Sequence, residues 1–447
     1  MADREASQLL GPVQGKPPQK RAELLLTLLV FLLVNLVSSQ VQDQIQVNHG
    51  LGNDGAVYYQ MAEDYHRHVT PSQEPPFVFR IGLPLLACWI DGDDLKKGFL
   101  FANLSANLLI VVLLFYWLGI WVRDWKLRLL LNLLFQTNWV LPVRIVWFYP
   151  TLSDHWALVF ILAGLLVLSA DMEEGWKSAL LGLLGFTGVF FREILFVLPV
   201  AFLLTGWKQP PYSAKRLFLK VAPLLLAAAG WWLVHQSFLV TVIRKPGHGL
   251  YHFYNTAVRC FFSYCDLSAW ILSWFSAFGP ILGVLIIRPK VSFNFLKRHP
   301  AVTVVFAQLV FLSWIGGRDF ERFFTWPSPI VLALLGLTLE ASPPLFKQKW
   351  PAALLLALQL VSQRFFWTIP SFDRLRPCPL SDCKIWLTVF GEHVDCLDLQ
   401  GYYEDPGVRT VRLAQYFLIL VAMGVFHYFS RRGKSASGTD ISGESPG

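Results

Sequence analysis

The sequence predicts an all-α, polytopic helical membrane protein, and three observations carry that prediction. Apolar runs of about 17 to 25 residues recur from end to end, each long enough to cross a hydrocarbon core about 30 Å thick as a helix. Only 15% of the 447 residues are charged, against 54% hydrophobic, whereas soluble domains carry about 25% charged residues. The alternating segments of about ten residues that a barrel needs are missing, so each span must satisfy its own backbone as a helix. The net charge of +8 is scattered over short loops, so it reports topology and points to no nucleic-acid partner.

The chain opens on a tail, 1–21, whose Lys16, Lys20 and Arg21 precede a first span at 22–39. That apolar run exceeds the 7–15 residues of a signal-peptide core, which favours a retained anchor and a cytoplasmic tail. The first outer loop, 40–97, is too polar to span, but its apolar pieces near Tyr58 and at 81–90 suit helices lying on the membrane surface, so the outer loops are expected to be partly helical. Spans are expected next at 99–122, 127–146 and 156–170, with Trp147, Phe148 and Tyr149 as an aromatic belt. Segments 178–191 and 194–207 read as a hairpin with Arg192 and Glu193 at its tip, which keeps the following basic loop inside, or else as one long helix interrupted by a buried pair. Spans at 217–242, 267–287, 301–317, 323–339, 352–367 and 411–429 bring the expected total to about twelve. The membrane domain then covers 22–430, with a last outer loop at 368–410, both termini cytoplasmic and a disordered tail at 431–447.

On this map the six cysteines, Cys88, Cys260, Cys265, Cys378, Cys383 and Cys396, all fall on the outer side. That distribution suggests disulfides in an oxidising space, at an endoplasmic-reticulum or bacterial inner membrane, with Cys383–Cys396 one of fifteen possible pairings. The competing reading makes several of them small buried apolar residues. The N-glycosylation sequon Asn103-Leu104-Ser105 falls inside a span.

Polar chemistry concentrates in the outer segments. Asp54, in Asn53-Asp54-Gly55-Ala56-Val57-Tyr58-Tyr59-Gln60-Met61-Ala62, puts a carboxylate where it can accept the proton of an attacking hydroxyl, or else simply makes a turn or helix cap. Arg80, Arg192, Arg318 and Arg322 fall near the outer membrane edge, and the planar guanidinium fork suits a phosphate. Their alternative is to snorkel or to pair with Glu193, Asp319 and Glu321. Asp154 is either a second functional acid or an N-cap. Tyr58 and Tyr59 either stack on a sugar face or anchor at the interface.

These stretches also resemble a family. The first, followed by Pro76-Phe77-Val78-Phe79-Arg80-Ile81-Gly82-Leu83-Pro84, then Arg192-Glu193-Ile194-Leu195-Phe196-Val197-Leu198-Pro199 and Gly316-Gly317-Arg318-Asp319-Phe320-Glu321-Arg322-Phe323, resembles the multi-span glycosyltransferases of the GT-C superfamily, closest to poorly characterised bacterial-type members. The resemblance implies a GT-C-like fold and inverting transfer of a hexosyl or pentosyl group from a polyprenyl-phosphate donor to an acceptor on the outer or lumenal face. It places Asp54 as base or metal ligand, Asp154 as a second acid for metal or acceptor, and the arginines on the donor phosphate. A divalent cation, Mg or Mn, is the cofactor it implies. The sequence departs from the better-known members in lacking a large outer C-terminal domain, which leaves the acceptor open. It also has Asn53, not an acid, before Asp54. Two other classes stay open: a transporter or flippase for a lipid-linked or small polar substrate, and a non-catalytic scaffold on an inherited enzyme fold.

Overall fold

The computed structural model describes residues 17–45, 47–206, 213–237, 239–241, 267–315, 320–341, 349–363, 365, 410, 413–414, 416–425 and 427–428, and among these it contains helices and turns but no strand. In chain order the helices are α1 (Pro17–Val41), α2 (Asn53–His66), α3 (Gly82–Ile90), α4 (Leu95–Trp121), α5 (Trp125–Thr137), α6 (Pro142–Phe148), α7 (Asp154–Ser169), α8 (Glu174–Gly188) and α9 (Val197–Gly206). They continue as α10 (Ala214–Gln236), α11 (Leu267–Phe278), α12 (Gly283–Ile287), α13 (Pro289–Arg298), α14 (Pro300–Ile315), α15 (Phe320–Phe323), α16 (Ser328–Glu340) and α17 (Lys349–Ser362).

Four segments are long and apolar enough to cross a membrane: Lys20–Val41 of α1, α4, the α5–α6 pair over Trp125–Phe148, and α10. Two bent pairs, Trp270–Phe278 with Pro280–Ile287 at 108° and α13 with α14 at 115°, raise the number to six if each is one span. The protein is therefore a predominantly helical integral membrane protein, and the expectation of about twelve spans, with the GT-C-like architecture tied to it, is corrected among the described residues. The reason is length. Helix α16 has 13 residues, about 20 Å at about 1.5 Å per residue, short of a core about 30 Å thick. Every residue of α16 from Ser328 to Leu339 is buried by protein, so its apolar character answers to neighbouring helices and not to lipid.

The long helices show which neighbour each face has. In α1, Glu23, Thr27, Phe31, Val34 and Ser38 are buried at three- and four-residue spacing, while Leu25, Leu29, Leu32 and Leu36 are exposed. An apolar exposed stripe on a helix of this length is a lipid-facing one. Helix α10 buries Pro223, Ala227, Gly230 and Val234 against α8, whose Gly182 and Gly185 admit Leu226 and Ala227 side by side. With lipid tails as apolar as leucine, such small-residue contact replaces the hydrophobic effect as the glue.

Helix α4, 27 residues long and so about 40 Å, has two chemically different ends. Its start is capped by Asp94, which accepts from Lys97 N at 3.2 Å, and its Phe99 stacks on Tyr59 of α2 at 6.4 Å. Its last residue, Trp121, packs edge-on against Phe295 of α13 at 4.9 Å. Just beyond, the N–H groups of Arg123 and Asp124 donate to Glu340 Oε1 at 2.6 and 2.7 Å. Here also Arg128 holds Glu23 through Nη2 at 2.5 and 2.7 Å, docking α5 on α1. At the start of the α8–α10 pair Glu174 takes Lys220 at 2.7 Å and Arg216 at 3.3 Å. Basic residues gather at this far end, and the residues of interest lie towards the other.

Candidate active site

The first turn of α2 is set by two glycines and one tyrosine. Gly52 stands before the helix at φ 69°, a left-handed conformation that glycine adopts without the Cβ penalty. A Cβ there would overlap the Tyr149 ring, and one at Gly55 would overlap Thr151 Oγ1. Tyr149 therefore lies directly across the turn, and its Oη accepts the Gly55 N–H at 3.0 Å. Thr151 Oγ1 ties the same strip of chain to Leu51 O at 3.0 Å. Asp54 sits between these contacts in the first turn of α2, where the helix dipole favours a carboxylate. Neither of its competing cap readings applies, since the N-cap position is Gly52, with no side-chain cap bond.

A second strip, 149–155, is threaded through buried amides. Asn103 Nδ2 donates to Pro150 O at 2.6 Å and Leu152 O at 2.9 Å, and Asn107 Nδ2 donates to Pro142 O at 3.0 Å. His155 Nδ1 and Nε2 face Leu152 O at 3.1 Å and Pro142 O at 3.2 Å. The asparagine of the sequon is thus wholly enclosed and spent on the backbone that delivers Asp154. The N-cap of α7 is Ser153, so the Asp154 side chain is not a cap.

Among the described residues, three arginines and three carboxylates meet around that point. Asp54 Oδ2 pairs with Arg322 Nη1 at 3.0 Å, and Arg322 Nε is 3.7 Å from Asp154 Oδ2. Asp154 Oδ1 binds Arg192 Nη1 and accepts the Trp326 indole N–H at 2.9 Å. Phe323 and Trp326 stack at 4.7 Å; Arg192 lies 5.0 Å over Trp326 and Arg322 lies 5.1 Å over Phe323, so both cations rest on aromatic faces. On the other side Arg80 Nε donates to both Glu193 oxygens at 3.2 and 3.1 Å. Arg80 Nη1 donates to Tyr58 Oη at 3.1 Å, which also accepts from Ser153 Oγ at 3.3 Å, joining the two halves.

Counted over the described residues the network is neutral, and it is uneven in access. Asp154, Arg192 and Arg322 are 5 to 7% exposed at their side chains, whereas Asp54 and Glu193 are 26 and 28% exposed. Burial opposes the charge of Asp154, which lies at the tip of α7 outside the candidate spans, but Arg192, then Arg322 and the Trp326 N–H, outweigh it and hold the carboxyl below the usual aspartate range. For Arg80, burial alone would lower the guanidinium; the Glu193 carboxylate, with Tyr58 and Asp54, more than offsets this and keeps it above the usual arginine range. An acid at the accessible rim and guanidinium groups behind it can take a proton and hold an anion.

Of the residues expected from sequence, Asp54, Tyr58, Arg80, Asp154, Arg192, Glu193 and Arg322 come together. Tyr59 stands apart against Phe99, its hydroxyl raised by burial and by the nearby carboxylates of Glu63 and Asp94. Arg318 and Asp319, and the side chain of Glu321, lie outside the described residues. The expected divalent cation, Mg or Mn, is corrected: among the described residues no three His, Cys, Asp or Glu side chains are placed to hold a metal, and Asp54 and Asp154 are engaged by guanidinium groups instead. Among the described residues the expectation of disulfides is corrected too: Cys88, the one cysteine described, is a free thiol, while Cys260, Cys265 and Cys378, like the proposed Cys383–Cys396 pairing, lie outside the described residues.

Sequence reading missed Trp326, Phe323, Tyr149 and Ser153 as members of the site. In sequence Tyr149 reads as part of an aromatic belt, and nothing in its neighbours marks it otherwise. Trp326 follows Arg322 by four residues, a one-turn spacing that could have flagged it. Compared with known proteins, the chain matches no family model, no curated protein and no solved structure.

Proposed function

We propose that this protein is a membrane-embedded glycosyltransferase that moves a sugar from a polyprenyl-phosphate donor to an acceptor hydroxyl on the outer or lumenal face. The observation that supports this reading is the convergence of Asp54 with Arg322, Arg192 and Arg80, four residues from separate stretches of the chain. A cluster of buried ionisable side chains with one carboxylate left accessible is a functional-site candidate on physical grounds. The basic residues at the opposite end of α4 argue that the network lies on the outer side.

In this reading Asp54, the accessible carboxylate, takes the proton of the acceptor hydroxyl. The hydroxyl oxygen attacks the anomeric carbon from the face opposite the phosphate, so configuration inverts, and the guanidinium groups stabilise the negative charge that grows on the departing phosphate. The test is transfer of radiolabelled sugar from a panel of polyprenyl-phosphate donors by purified protein in detergent, with Asp54→Asn alongside. Label moving to acceptor or water with the native protein only is the expected result; full activity in Asp54→Asn sinks the role of Asp54.

A second reading, a transporter or flippase for a lipid-linked or polar substrate, draws support from the two bent helix pairs, at 108° and 115°, because discontinuous helices line transport sites. Substrate-dependent flux in liposomes without turnover of any donor would select it.

A further inference from the structure

Arg322 differs from its two companions in being shared. Arg192 is committed to Asp154, enclosed with it and seated on Trp326. Arg80 is committed to Glu193 through two bonds from one nitrogen. Arg322 pairs at 3.0 Å with the accessible Asp54 and stands 3.7 Å from the buried Asp154 Oδ2, an oxygen with no hydrogen bond of its own. Asp154 thus gives Arg322 an electrostatic anchor that stays when Asp54 is neutralised.

We propose that Arg322 is exchanged between Asp54 and the phosphate of the lipid carrier during each turnover, and that re-forming the Asp54–Arg322 pair expels the lipid phosphate. The inference rests on the transferase reading above. When the acceptor oxygen bonds to the anomeric carbon, the bond from that carbon to the phosphate oxygen breaks and its electron pair leaves with the phosphate. The acceptor proton goes to Asp54. A phosphodiester with one negative charge becomes a monoester with two, while Asp54 passes from one negative charge to none. Total charge is unchanged; its location moves from Asp54 to the phosphate, and Arg322 follows it. Among the described residues, the groups that face Asp54 are Arg322 from α15, Arg80, which feels its charge from beside α3, and the Tyr149 hydroxyl at Gly55. When Asp54 later releases its proton, its carboxylate again pairs with Arg322, and the dianion loses that guanidinium.

The test is equilibrium binding of farnesyl phosphate, a short polyprenyl monoester, to the full chain in detergent, with inorganic phosphate and farnesol as parallel probes and thermal unfolding as the folding control. Asp54→Asn is expected to bind farnesyl phosphate about tenfold or more tightly than the native protein, the size of a typical coupling between sites. Adding Arg322→Gln to Asp54→Asn should abolish that gain, and Asp54→Glu, which keeps the charge, should bind like the native protein. Equal, measurable affinity of native protein and Asp54→Asn overturns the exchange and leaves the transferase reading standing. Inorganic phosphate binding as tightly as farnesyl phosphate, with the same dependence on Asp54, overturns the lipid carrier as ligand. Binding of neither phosphate to any variant overturns both the exchange and the reading beneath it.

Discussion

Arg192 and Asp154 form an ion pair whose side chains are 7 and 5% exposed, with the Trp326 indole N–H closing the same carboxylate oxygen at 2.9 Å. A pair this enclosed costs desolvation that its own attraction only roughly repays, whereas breaking it strands a charge. Asp154→Ala should therefore lower stability by about 3–5 kcal/mol, read as a fall in the thermal midpoint in detergent. Replacing both partners, Asp154→Leu with Arg192→Met, should restore most of it while transfer stays lost. Recovery of activity in the double variant would show that the pair only supports the fold.

The same carboxylate sets an acid limit. Its folded value is depressed by Arg192 and Arg322 despite burial, relative to an unfolded value of about 3.9. Stability from this group is then complete above the unfolded value and is lost as pH falls through the lower, folded one. Acid unfolding of the native protein should steepen below about pH 4, and Asp154→Asn should be less stable at neutral pH but flatter across that range.

Gly55 has no room for a side chain, because a Cβ would meet Thr151 Oγ1 and, at 2.8 Å, the Tyr149 ring. Gly55→Ala should cost about 1–3 kcal/mol through overpacking and shift Asp54 away from Arg322, so activity should fall further than stability. Gly55→Ala combined with Thr151→Ser should not rescue it, as the hydroxyl remains; combined with Thr151→Gly, part of the activity should return.

At the other end of the bundle, Arg128 and Glu23 are 10 and 8% exposed, and Arg128 Nη1 also donates to Val122 O and Arg123 O at 2.8 and 2.9 Å. Arg128→Ala strands Glu23 and two carbonyls, so a loss of about 3–5 kcal/mol is expected. Because this site is remote from Asp54, transfer per folded molecule should stay near native, measured as activity normalised to the protein that survives size-exclusion chromatography.

Much of the candidate site was legible one residue at a time. Asp54, Arg80, Asp154, Arg192 and Arg322 stand out because charge is rare in such an apolar chain and each adjoins an apolar run. Their partners were not. In sequence Arg322 has Asp319 and Glu321 beside it, and only the packing of α2 against 149–151 delivers Asp54 to it. Glu23, within the first apolar run, gave no sign of its bond to Arg128, since partners so distant in sequence leave no local spacing to detect.

Composition and run length by themselves determine that this is a helical membrane protein, that α1, α4 and α10 are membrane-length, and which side chains are too polar for their surroundings. They cannot determine how many apolar runs cross the bilayer, because an apolar residue is equally satisfied by lipid and by another helix. That distinction decides the fate of α7 and α16, and it is made by the packing around them. The pairing of Asp54 with Arg322 and of Asp154 with Arg192 is likewise a tertiary result: hydropathy measures what a residue avoids, while an ion pair depends on which opposite charge the fold brings within about 4 Å.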